Sequence, residues 1–166
     1  MKIALSNDHA GFILKPFVLQ HLRAAGHHVV DVGTQNDEPV DFPVMTQSVT
    51  SLVVSHDVDR GILVCGSGVG ASIAANKVRG IRAAVIHDTF AARQSVEHDD
   101  VNVACLGAWI IGERIAADVL DAFLGARFDD TEDVRRRVAQ ITELEADSSN
   151  PALNGRKEPA DRTELN

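Results

Sequence analysis

Five short apolar runs recur along the chain: "KIALS" (2–6), "HVVDV" (28–32), "GILVC" (61–65), "RAAVI" (82–86) and "NVACL" (102–106). They are rich in Val, Ile, Leu and Ala, and each reads as a strand buried on both faces. Stretches with helical spacing separate them, and helices are expected at about 12–25, 43–55, 69–78, 89–97, 112–125 and 131–146. This alternation is the strongest constraint on the fold. Parallel strands need a crossover between them, and a helix is the usual one. The pattern therefore predicts an α/β protein with a mostly parallel five-stranded sheet and helices on both faces. No internal repeat is visible.

The 166 residues are enough for one domain with a real core. A formal net charge of −8 argues against nucleic acid as a partner, which would need a basic face. No apolar run approaches the roughly 20 residues of a membrane span, so no membrane partner is expected. "MKIALSND" reads as entering directly into a strand, so no signal peptide is expected. Cys65 and Cys105 do not make a disulfide framework, and the expected location is the cytoplasm. The domain is expected over 1–147. The tail 148–166 is polar and carries two prolines, which predicts disorder or loose docking.

In an open parallel sheet, ligands bind at the carboxyl ends of the strands. That rule selects "SNDHAGF" (6–12), "VGTQ" (32–35), "CGSGVG" (65–70) and "HDTF" (87–90). In the third of these, Gly66, Gly68 and Gly70 form GxGxG, neither the GxGxxG of a dinucleotide site nor a P-loop. Three glycines in five residues instead suggest a nest of backbone N–H groups, suited to an oxyanion or a phosphate oxygen. Cys65 opens the loop. It is either a small buried hydrophobe or a base or nucleophile whose pKa the following helix start lowers. Asp8 and His9 end the first strand, as an acid/base or anion-binding pair or as plain turn residues. His98 ends a helical stretch, where the helix dipole alone could account for it. No His, Cys or Asp spacing resembles a metal site.

Taken together, "SNDHAGF", "DVGT", "DFP", "GILVCGSGVGASIAANKVRGIRAA" and "HDDVNV" resemble the ribose-5-phosphate isomerase B family, which includes the subunits of galactose-6-phosphate isomerase. The resemblance runs from Met1 to about Leu144. It implies a Rossmann-like three-layer α/β/α sandwich, with no metal and no organic cofactor. It implies a homodimer or a dimer of dimers with active sites between subunits, and a small sugar phosphate as substrate. The implied reaction is aldose–ketose isomerisation through an enediol, with Cys65 as base. Ser67 and the backbone of Gly66, Gly68, Val69 and Gly70 would stabilise the enediolate oxygen. His98 would open the sugar ring, and Asp8 and His9 would contact the sugar and its phosphate.

Three positions depart from the family pattern. Trp109, in "LGAWIIG", stands where an arginine is usual, and is either a wall for the sugar or an interface residue. In "DDTEDVRRRVAQI" the first arginine of a phosphate-binding pair falls on Glu132 or Asp133, and the second on Arg136 or Arg137. Asp99 replaces an asparagine beside His98. These departures bear on the choice of sugar more than on the reaction. A charge-assisted hydrogen bond contributes about 1.5–3 kcal/mol, so two lost arginine contacts would cost about 3–6 kcal/mol unless replaced.

Overall fold

The computed structural model describes residues 1–146. The sequence expectation for the tail from Ser148 lies outside them. Five strands, β1 (Lys2–Asn7), β2 (His28–Asp31), β3 (Arg60–Cys65), β4 (Ala83–Val85) and β5 (Val103–Gly107), form one sheet in the order β2-β1-β3-β5-β4. Every pairing is parallel, where the sequence predicts only a mostly parallel sheet. The helices are α1 (Lys15–Ala24), α2 (Phe42–Val54), α3 (Val69–Ala75), α4 (Thr89–Asp99), α5 (Glu113–Gly125) and α6 (Glu132–Ala146).

Side-chain alternation along the strands divides the core in two. Ile3, Leu5, Ile62, Val64, Ala104 and Leu106 pack against α1, α4 and α5, whereas Ala4, Leu63, Val103 and Cys105 pack against α2 and α3. The result is the expected three-layer sandwich. Only β1, β3 and β5 are buried on both faces, because β2 and β4 lie at the sheet edges and are half-buried.

Two helix boundaries differ from expectation. α1 starts at Lys15 rather than near residue 12, because Gly11 N–H donates to the Asp8 carboxylate and holds a turn there. α3 ends at Ala75, and the Asn76 amide then ties the chain to β4: its Nδ2 donates to the Ala83 carbonyl and its Oδ1 accepts from Ala83 N–H. Among the described residues, no helix is long and apolar enough to cross a membrane.

Candidate active site

Because the strands are parallel, their carboxyl ends share one edge of the sheet. Asn7 ends β1 and Cys65 ends β3, and the two strands pair in register up to Asn7 opposite Val64. This places Asp8 next to Cys65. Asp8 is buried, its N–H donates to the Val64 carbonyl at 3.2 Å, and its Oδ1 accepts from Gly11 N–H at 2.8 Å. The backbone must come close here, since a Cβ on Gly11 would fall 1.9 Å from the Val64 oxygen.

After Cys65 the chain turns through Gly66, Ser67 and Gly68 into α3. Gly68 has φ +80, a left-handed conformation that glycine adopts without strain. Val69 N–H reaches Ser67 Oγ at 3.4 Å, and the N–H groups of Gly68 and Gly66 are directed at the Cys65 sulfur. Two aromatic rings bracket the loop. The Trp109 indole lies across Gly66, 2.8 Å from where a Cβ would be, and the Phe42 ring lies across Gly70 at 3.1 Å. Trp109 is 73% exposed, so one face of the indole is open over the site.

The electrostatics reverse the sequence expectation for the thiol. Burial pushes the Cys65 thiol up, and Asp8 pushes it further by accepting its hydrogen bond and by its negative charge. The Gly68 and Gly66 N–H groups act the other way but do not prevail. Cys65 therefore rests as a protonated thiol with a carboxylate beside it. Cys105 is fully buried and its thiol is pushed far up by desolvation, which fits an inert core position.

His9 is exposed at the rim, and its Nδ1 accepts from Val40 N–H at 3.3 Å, which leaves Nε2 as the protonated nitrogen of the neutral ring. His87 is a residue that the sequence gives no reason to single out within "HDTF". Its Nε2 accepts from Gly107 N–H at 3.0 Å, and burial holds its pKa down. Gly107 in turn abuts Ser67, so His87 supports the glycine loop from β4.

The remaining expected residues are elsewhere. α4 runs antiparallel to the strands and delivers His98 and Asp99 to the amino edge of the sheet. β3 and β5 pair from Gly61–Val103 to Cys65–Gly107, a rise of about 13 Å at 3.3 Å per residue, which places the end of α4 about that far along the strand axis from Cys65. No proton passes directly over such a gap. His98 is exposed, with Gln94 Nε2 at 3.4 Å from its Nδ1. The start of α6 lies beside it, since Asp129 N–H donates to the Glu97 carbonyl at 2.9 Å. Arg136 and Arg137 belong to this second cluster and both face Asp133, at 2.9 and 3.9 Å. The structure thus divides the expected residues into two groups: Asp8, His9, Cys65 to Gly70 and Trp109 at the carboxyl edge, and His98, Asp99, Arg136 and Arg137 at the amino edge. The strand and helix pattern does not show this separation, which is consistent with the between-subunit sites that the resemblance implies.

Fold and site together define a class: a Rossmann-like α/β enzyme with a cysteine, a carboxylate and a backbone N–H nest at the carboxyl edge of a parallel sheet. Comparison with known proteins makes it specific. The sequence model of a family described as Ribose/Galactose Isomerase matches residues 3–141, and the chain belongs to this family. It is 43% identical to the ribose-5-phosphate isomerase B of Escherichia coli K12 over 144 residues, which cover 87% of this chain and 96% of that protein. The structure of ribose-5-phosphate isomerase B from Clostridium thermocellum superimposes with a TM-score of 0.86 at 43% identity, covering 88% of this chain and 98% of that one. A Mycoplasma genitalium ribose-5-phosphate isomerase B with bound ribulose-5-phosphate gives 0.82 at 34% identity, covering 89% and 97%. The chain is accordingly an aldose–ketose isomerase acting on a sugar phosphate.

Proposed function

We propose that the chain interconverts ribose 5-phosphate and ribulose 5-phosphate through an enediol, with Cys65 as base. The observation that carries this reading is the Cys65 thiol set between the Asp8 carboxylate and the N–H groups of Gly66 and Gly68. Removing a proton next to a carbonyl needs a base within reach and donors aimed at the oxygen that becomes negative. One loop supplies both. Asp8 accepts the resting thiol's hydrogen bond and orients it, and the thiol's proton leaves to solvent as the thiolate forms. The thiolate then removes the C2 proton and returns it at C1. Ser67 and the backbone through Val69 and Gly70 stabilise the enediolate. His9, with its proton on Nε2, donates to a sugar or phosphate oxygen.

The phosphate needs cations, and the loops 6–12, 32–41, 65–70, 87–90 and 107–112 contain no lysine or arginine. We therefore assign phosphate binding to Arg136 and Arg137, and ring opening to His98, with Asp99 beside it. These residues reach Cys65 from a second copy of the chain, in a homodimer or a dimer of dimers. The Asp133 pairs are exposed, and such pairs contribute about 0–1 kcal/mol, so a dianionic phosphate can displace them.

One observation favours a variant of this reading. The Trp109 indole stands over Gly66 as an exposed apolar plate, which suits a shorter or differently branched sugar phosphate. The family description also covers galactose-type, six-carbon substrates.

NMR in D₂O with EDTA present tests these alternatives. The protein is mixed separately with ribose 5-phosphate, erythrose 4-phosphate, allose 6-phosphate and unphosphorylated sugars. Deuterium should enter the carbon next to the carbonyl of ribose 5-phosphate, and Cys65→Ala should abolish the exchange while its circular dichroism stays native. Exchange confined to another sugar would reassign the substrate. Quenching of the single tryptophan, Trp109, without any exchange would make the chain a binding subunit.

A further inference from the structure

Behind Cys65, on the α2/α3 side of the sheet, lies a small, partly open chamber. Phe42, Met45, Leu63 and Ala71 supply its apolar wall, and Asn7, Asp8, Thr46 and Cys65 its polar one. It accommodates about one water molecule. Thr46 is 2% exposed and Asn7 1%, yet Thr46 Oγ1 and Asn7 Oδ1 have no hydrogen-bond partner in the protein. Neighbouring hydroxyls on α2 behave differently. Thr50 donates back to the Gln47 carbonyl and Ser48 to the Val44 carbonyl, the usual local outlets for a helical hydroxyl. Thr46 uses neither outlet. The Asn7 amide is engaged elsewhere: its nitrogen donates to the Asp8 carbonyl at 2.9 Å and its oxygen lies against Gly33.

Buried polar atoms are almost always paired, and an unpaired one in a polar pocket of this size marks an ordered water. We propose that Thr46 holds one such water in the chamber, against the Asp8–Cys65 pair, and that this water completes the hydrogen-bond set of the Cys65 sulfur. Thr46 is then a positioning residue that acts on Cys65 through the water. The titratable groups facing the sulfur are Asp8 from the end of β1 and Cys105 from β5. α2 and α3 contribute only Phe42, Met45, Thr46 and Ala71 to the chamber. A water donor thus adds to the Gly66 and Gly68 N–H groups in offsetting the carboxylate when the thiolate forms. The inference stands on this geometry and on no particular sugar, so its failure would leave the isomerase reading untouched.

The test is the pH dependence of Cys65 alkylation by iodoacetamide, since Cys105 is fully buried. Thr46→Val keeps the shape and removes the hydroxyl. It is expected to move the alkylation midpoint up by about 0.5–1 pH unit, a 3–10-fold slower reaction at neutral pH. Thr46→Ser should restore the wild-type midpoint, which a role in packing alone would not predict. Where Thr46→Val does not fold, Thr46→Ala removes the hydroxyl without strain and is held to the same criterion. An unchanged midpoint, or a shift that Thr46→Ser fails to undo, overturns the proposal.

Discussion

Cys65, the base in the proposed reaction, is kept protonated by its surroundings. Burial and Asp8 both favour the neutral thiol, so its pKa lies above the ordinary thiol value of about 8.5. Raising the pH releases the proton and creates the active thiolate. The rate at subsaturating substrate should therefore climb with pH through and beyond about 8.5, by up to tenfold per unit. A rate profile measured from pH 6 to 10 checks this, and a plateau reached below pH 8 would remove Cys65 as the rate-limiting base. The cysteine, the glycine loop and the Asp8–His9 pair were all legible in the sequence, because loop chemistry is written in adjacent residues. The direction of the thiol's shift was not. It depends on Asp8, 57 positions away in the chain, and on the closure of α2 over the sheet.

At the scale of elements, the carboxyl-edge loops are held by one buried ion pair. Lys15, at the start of α1, places its Nζ 2.9 Å from Asp31 Oδ2 and donates to the Thr34 carbonyl at 2.8 Å. It thereby fixes the exit of β2, and the same loop reaches Val40, whose N–H orients His9. Lys15→Met leaves the Asp31 carboxylate and the Thr34 carbonyl without their partner. The expected loss is about 3 kcal/mol, since breaking a buried pair from one side costs about 3–5 kcal/mol and Asp31 is partly exposed. The urea midpoint measures it, and Lys15→Met combined with Asp31→Asn should recover much of the loss. Little change in the single variant would show that the loop is held by its backbone contacts alone. Element types and order were readable from apolar spacing. That β2 and β4 are edges was not, because strand order depends on which crossover passes over which strand. The first helix began late for a similar reason: the Asp8–Gly11 turn competes with helical spacing, and periodicity does not register it.

At the scale of the whole molecule, the two clusters lie at opposite edges of one sheet, with Cys65 on the first and His98 on the second. A two-fold pair of chains can answer this separation, since each copy can offer its amino-edge cluster to the other's carboxyl edge, twice over. Exposed apolar side chains mark surface available for such a contact, among them Val69 and Ile73 on α3, Phe90 on α4 and Ile110 beside Trp109. The arrangement has a stoichiometric consequence. Under the proposed mechanism, Cys65→Ala and His98→Ala should each be inactive alone, because each removes a group that every proposed site uses. When the two are unfolded together in equal amounts and refolded, about half of the dimers carry one chain of each kind. In such a dimer, one site combines the intact Cys65 of the second chain with the intact His98 of the first, while the other site lacks both. Activity should return to about one quarter of wild type. If His98 acted on the Cys65 of its own chain, no site in the mixture would be whole and activity would stay at the level of the separate variants. The quarter recovery therefore distinguishes a site built by two chains from a site built by one.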